Sequence, residues 1–202
     1  MAANPSDRTR RRLSTEQRRD QLLSVGSQLF AQSPYDDVWV ERVAEIAGVS
    51  RGLLYHYFPT KRDFFAAVVQ RESERMLRLT AAVPGKPLRE QIDTGIDLFL
   101  AYVENHAEGF RAFHRAEAAG DPAVREVYRA GLAAQEHQIL AALTHTRSLP
   151  ADDPALRLAV HGWLAFMISV CLEWLDEPGT SRERVRDLCA RTLWGALGLD
   201  RD

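Results

Sequence analysis

Cysteine is nearly absent from this sequence: Cys171 and Cys189 are the only two, and both sit inside apolar helical patterns. That scarcity excludes a disulfide framework and a Cys-rich zinc site, and it points to a reducing compartment, the cytoplasm. Neither a Glu-x-x-His pair nor a His-Glu-x-x-His run occurs, although His114 and Glu117 share a helix face, so no metal is expected. No Gly-x-Ser-x-Gly elbow, no glycine-rich phosphate loop and no activating neighbour beside either cysteine is present, which leaves no nucleophile and no cofactor site. The chain does not read as an enzyme. Strand-like alternation and internal repeats are missing as well. The first thirteen residues lack the apolar run of a cleavable signal. The stretch 158–175 is broken by His161 and Glu173, so a helix buried in the protein is expected there, too short in its uncharged part to cross a bilayer. No membrane partner is expected.

What the chain does have is helical periodicity, punctuated by caps. Of 202 residues, 46% are apolar, enough for a real core. Ser14 with Gln17 makes a capping box for a helix whose Leu22, Val25, Leu29 and Phe30 share one side. Thr60 with Asp63 opens a long helix carrying Phe64, Phe65, Val68, Val69 and Met76, and Val-Pro-Gly-Lys-Pro after Ala82 stops it. Pro87 to His106, a short segment around Phe110 to Ala119, and a helix from Asp121-Pro122 to about Thr146 follow. Asp153-Pro154 starts the apolar helix ending near Leu175, and Thr180 with Glu183 is the expected cap of the last, which Gly198 ends. The fold class is all-α, with about nine helices. Residues 1–13 are expected to form a flexible basic arm, either a solvated tail or an arm contacting the minor groove.

The net charge of −2 conceals an asymmetry: residues 1–62 hold ten Lys or Arg against seven acids, and the rest sixteen against twenty-one. The basic end contains two short helical patterns around a tight turn at Ala47-Gly48-Val49, which is a helix-turn-helix arrangement spanning about 39–58. Val40, Val43 and Ala44 form one apolar stripe, and Leu54 and Phe58 the other. Ser50 is placed to cap the second helix. Opposite that stripe stand Arg51, Gly52, Leu53, Tyr55, His56 and Tyr57, rich in hydrogen-bond donors and nearly free of acids, a face suited to DNA.

AEIAGVSRGLLYHYFPTKRDFF resembles the DNA-binding end of the TetR family of bacterial transcriptional regulators. That motif runs Ala-Gly-Val-Ser, a basic residue, Gly, two residues, Tyr, His or Tyr, aromatic Phe, two residues, Lys. The likeness covers roughly residues 12–70. The family usually begins the first motif helix with Thr or Ser, whereas Val38-Trp39-Val40 stands here, so Asp36 or Asp37 is expected to cap instead. The resemblance implies a helix-turn-helix domain over 14–62 and a helical effector-binding and dimerisation domain over 63–202. It also implies that Gly52 and Leu53 approach bases or sugar, that Tyr55, His56 and Tyr57 contact phosphates, and that Lys61 anchors another. Arg51, at the helix start, is placed to bind guanine bidentately, and Arg42 and Ser50 complete the expected DNA-binding set. One of Tyr55 and Tyr57 is expected to pack into the core instead.

For an effector pocket, Phe99, Tyr102, His106, Phe113, His114, Tyr128, Gln138, His161, Trp163, Phe166 and Trp174 are candidates, though core packing explains most of them equally well. The last two helices are apolar enough for the resemblance to imply a four-helix homodimer interface, with Met167, Val185, Leu188, Thr192, Leu193 and Leu197 expected in it. The reading is a ligand-responsive regulator, a repressor released from a palindromic double-stranded operator by a small molecule. Its rival is a helical small-molecule-binding or catalytic protein without DNA-binding activity.

Overall fold

Short-range side-chain caps begin most of the helices. In the computed structural model, which describes residues 13–83, 85–147, 153–177 and 179–198, nine α-helices and no strand occur among the described residues. Most of the expected basic arm, residues 1–12, lies outside them. Helix α1, Thr15–Gln32, starts at the Ser14/Gln17 capping box, and α4, Lys61–Leu79, starts at the Thr60/Asp63 box. Between them a 3-10 turn, Tyr35–Asp37, leads into α2, Val40–Ala47, and α3, Arg51–Tyr57. Then come α5, Leu88–Asn105, and α6, Ala107–Ala118, followed by α7, Pro122–Arg147, α8, Pro154–Asp176, and α9, Arg182–Ala196.

Two caps differ from expectation. Trp39, not Asp36 or Asp37, stands at the N-cap of α2 and makes no side-chain cap bond, because both aspartates are taken up in the 3-10 turn. Ser181 rather than Thr180 caps α9, accepting from the Arg184 amide, while the Thr180 carbonyl receives the Trp174 indole N–H.

Two apolar clusters organise the helices. The first joins α1 to α4, with Leu22, Phe30, Val43, Leu54 and Phe64 nearly or wholly excluded from water, and takes in Ala112 of α6 and Val124 of α7. The expected division at residue 63 therefore falls just before the part of α4 that packs most deeply into this cluster. The second joins α5, α8 and α9 with Phe110 and Leu143. Trp163 Nε1 donates to the Cys189 carbonyl at 2.9 Å and fastens α8 to α9. Both cysteines are buried in this cluster, and burial raises both thiols, Cys189 to about 11, so neither is a ready nucleophile.

Helix α8 corrects one expectation. At 23 residues it passes the length and composition test for a membrane span, a test that a core helix also passes. It is not buried all round: Leu156, Val160, Trp163, Met167 and Cys171 form the inward stripe, while Leu158 on the outer side is 72% exposed.

Candidate functional site

The helix-turn-helix owes its angle to one residue. Gly48 adopts φ +63°, the left-handed conformation that ends α2, and the Val49 amide returns to the Ala44 carbonyl at 2.9 Å. Gln21 Nε2 of α1 donates to the Ala47 carbonyl at 3.1 Å and holds the turn against the core. Ser50 Oγ then caps α3 by accepting from the Leu53 amide at 3.2 Å. Leu54 and Phe58 face inward, leaving Arg51, Gly52, Leu53 and His56 exposed on the outer side of α3. Tyr55 and Tyr57 both pack half-buried against the core, where only one of the two was expected to.

The cations on this face are paired by acids from α2. Arg51 Nε meets Glu41 at 3.0 Å and Arg42 Nη1 meets Glu45 at 2.7 Å, and all four side chains are largely exposed. Exposed pairs of this kind are worth about 0–1 kcal/mol, so a phosphate or base can replace the carboxylate at little cost. Lys61 is more firmly occupied: its ammonium donates to the Asp36 carbonyl at 3.2 Å and lies 4.5 Å from the centre of the Tyr35 ring. Trp39, absent from the expected set, is 70% exposed at the N-terminus of α2, beside the same face. Its signal in the sequence was the large aromatic standing where a small hydroxyl residue is usual.

A cavity of about 240 Å³ opens between the two clusters. Eight of the eleven pocket candidates line it: Phe99, Tyr102, His106, Phe113, His114, Tyr128, Gln138 and Trp163. Three do not. His161 points outward to Glu136 at 3.2 Å, Phe166 packs against the second cluster, and Trp174 is tied to Thr180. Met167 and Leu193, assigned to the dimer face by their stripes, instead line the cavity, and Val185 is buried in the second cluster. Of that set Leu188 alone is exposed, with Thr192 and Leu197 half-buried. The main group missed by sequence reasoning comes from the other end of the chain: Ser27 and Phe30 of α1, and Phe65, Val68, Glu72 and Met76 of α4 with its C-cap Thr80, are cavity walls. Helical spacing marked Phe30, Phe65, Val68 and Met76 only as core.

The cavity's polar groups are few. Tyr102 donates to Glu72 at 2.7 Å, and burial followed by that bond pushes the phenol well above its usual range. Gln135 and Gln138 both donate to the Thr80 hydroxyl, at 3.2 and 3.3 Å, joining α7 to the end of α4. His114 lies among Phe110, Phe113 and Tyr128, and burial drives its pKa down to about 4, leaving a neutral imidazole.

Known proteins place this arrangement. The family model for bacterial regulatory proteins of the tetR family matches residues 22–68, and that for the tetracyclin repressor-like C-terminal domain matches 88–196. The chain is 23% identical to the HTH-type transcriptional activator FasR of Mycolicibacterium smegmatis, over 92% of this chain and 85% of that one. It is 25% identical to the HTH-type transcriptional regulator AcrR of Shigella flexneri, over 88% of each. Among solved structures, a tetR-family transcriptional regulator from Streptomyces coelicolor superposes with a TM-score of 0.79 at 28% identity, covering 92% of this chain and 81% of that one. With the helix-turn-helix at one end and the helical cavity beside it, this chain belongs to the TetR family of ligand-responsive, DNA-binding transcriptional regulators and is not an enzyme.

Proposed function

We propose that the protein is a homodimeric repressor, acting in the cytoplasm, whose grip on a palindromic operator is released when a small molecule fills the cavity. One observation carries this: the cavity walls include α1 and α4, the same helices whose Phe30, Phe64 and Val68 form the core that supports the helix-turn-helix. A ligand there touches the DNA-binding domain directly. It favours whichever tilt of α4 gives it room, and two recognition helices whose separation departs from about 34–36 Å no longer enter successive major grooves. In this reading residues 14–62 and the start of α4 form the DNA-binding unit, and the remainder binds effector and partner.

Arg51, Gly52, Leu53 and His56 meet the major groove. Tyr55, Tyr57, Ser50, Arg42 and Lys61 flank it at phosphates, with Lys61 exchanging its Asp36 contact for one. The outer faces of α8 and α9 support the dimer. Leu158 and Leu188 are exposed there, and nothing lies within 4 Å of a Cβ built on Gly162 or Gly195. Helix glycine costs about 1 kcal/mol against alanine, and close approach of a second subunit's helices accounts for it. Repression is favoured over activation because occupying a promoter needs no further surface for a polymerase.

Selection of bound duplexes from a random-sequence pool by gel shift, followed by sequencing, tests the reading. It expects a palindrome with half-site centres one helical turn apart, and release of the shifted complex by an extract of apolar metabolites. Recovery of no enriched sequence refutes operator binding, and enrichment that no metabolite reverses refutes release by ligand.

A further inference from the structure

The polar groups of the cavity wall are mostly spoken for. Glu72 accepts from Tyr102 and lies 3.6 Å from Arg75, His106 is stacked on Tyr102 and donates from Nδ1 to its carbonyl, and Gln135 and Gln138 are turned to Thr80. Ser27 is bonded to the Leu23 carbonyl and Gln91 to the Lys86 carbonyl. Three groups of the wall have no such bond: the Ser73 hydroxyl, which faces Gly131, and the aromatic pair His114 and Tyr128. Their rings lie 5.8 Å apart at nearly a right angle, both line the cavity, and among the described residues neither has a hydrogen-bond partner. Phe110 and Phe113 close round the imidazole at 4.5 and 5.0 Å. Both residues are half-buried, so the phenol O–H and the imidazole N–H open on the cavity without a protein partner and are free to donate to an acceptor from outside.

Charge decides what that acceptor is. Among the described residues no Lys or Arg lines the cavity, and its one acidic wall residue is Glu72, so an anion entering would be stripped of water without a lysine or arginine countercharge and would meet a carboxyl group. The aromatic enclosure that keeps His114 neutral denies it the role of that countercharge. A cation gains little either, because Glu72 is already held by Tyr102 and Arg75. Resting on the ligand-release reading above, we infer that the cavity selects an uncharged, largely apolar molecule whose carbonyl or amide head accepts from His114 and Tyr128, and that it rejects carboxylates of the same chain length. At about 30 Å³ of liquid volume per water, 240 Å³ is room for roughly eight waters, which suits a chain of about eight carbons.

The probes are octanamide, octanoate and octylammonium, which share a chain and differ in head charge. Each is titrated into the full-length protein without DNA at pH 7.5, following the intrinsic tryptophan fluorescence, to which Trp163 in the wall contributes, and the thermal midpoint. Octanamide is expected to bind at least tenfold more tightly than either ion. His114→Phe and Tyr128→Phe, which remove the donors and keep an aromatic ring, each weaken octanamide about two- to tenfold, the value of one neutral hydrogen bond. Should a variant fail to fold, the charge series on the wild type still decides. Octanoate binding as well as octanamide, octylammonium binding better, no probe binding, or a loss produced by Gln138→Leu and by neither ring variant overturns the inference. A selected operator that metabolites of another class release, with none of the three probes bound, removes this ligand class and leaves the repressor reading intact.

Discussion

Gly26 lies where α1 crosses α4, and replacing it by alanine sets two effects against each other. A Cβ there would come within 2.5 Å of Phe64 Cζ and 2.8 Å of Val68 Cγ2. Carbon atoms prefer about 3.5–4.0 Å, so the helices must part by roughly 1 Å or Phe64 must move. Phe64 has no room: it is wholly buried, with the Phe58 ring 5.0 Å away on one side and Phe30 at 6.1 Å on another. Overpacking costs typically about 1–3 kcal/mol, and this rigid site belongs at the upper end. Better helix propensity returns about 0.8–1 kcal/mol. The net expectation for Gly26→Ala is a loss of about 1–2 kcal/mol, a fall in melting temperature of roughly 2–8 °C for a chain of this size. Gly131→Ala is the control. Its Cβ would meet only the Ser73 hydroxyl at 2.6 Å, which can rotate away, so it should gain up to about 1 kcal/mol. Urea titrations of both variants and wild type, at one protein concentration, measure the difference. Equal effects, or a Gly26→Ala protein as stable as wild type, refute the claim that close packing at this crossing holds α4 in place.

His114 carries a pH dependence with a definite sign. Its folded pKa of about 4 lies below the ordinary 6.5, so its contribution is complete above pH 6.5 and is lost as pH falls toward 4, by at most about 3 kcal/mol at 1.36 kcal/mol per unit. His114→Phe should flatten the decline of stability between those values, measured by urea titration at several pH values, and an unchanged slope rejects a neutral buried imidazole. Arg51→Ala should cost about 1–3 kcal/mol and relax base preference at one operator position, read by competition gel shift; loss without altered preference makes Arg51 a phosphate contact. Leu188→Asp, on an exposed position, should leave the subunit folded by circular dichroism and shift sedimentation toward monomer, whereas Leu193→Asp should unfold the subunit because that side chain is 1% exposed within it. An intact dimer with Leu188→Asp moves the interface elsewhere.

What the sequence determined by itself is what depends on neighbours a few residues apart. The Ser14 and Thr60 capping boxes, the Ser50 cap, the left-handed Gly48 and the period-3.6 stripes are interactions across three or four residues, legible wherever those residues stand in order. The helix-turn-helix and the all-α class followed from them. The tertiary structure decided which neighbour each stripe faces. Met167 and Leu193 carry the apolar signature of any interface helix, but α8 and α9 are rotated so that these residues close the cavity and Leu158 and Leu188 point outward. The cavity's reach into α1 and α4 joins elements distant in the chain, while the hold of Glu41 on Arg51 and the meeting of His114 with Tyr128 depend on the angle between successive helices. A stripe fixes a direction only in its own helix's frame. The rotation of one helix against another is set by how side chains from the whole chain fill the space between them, and no local pattern records that.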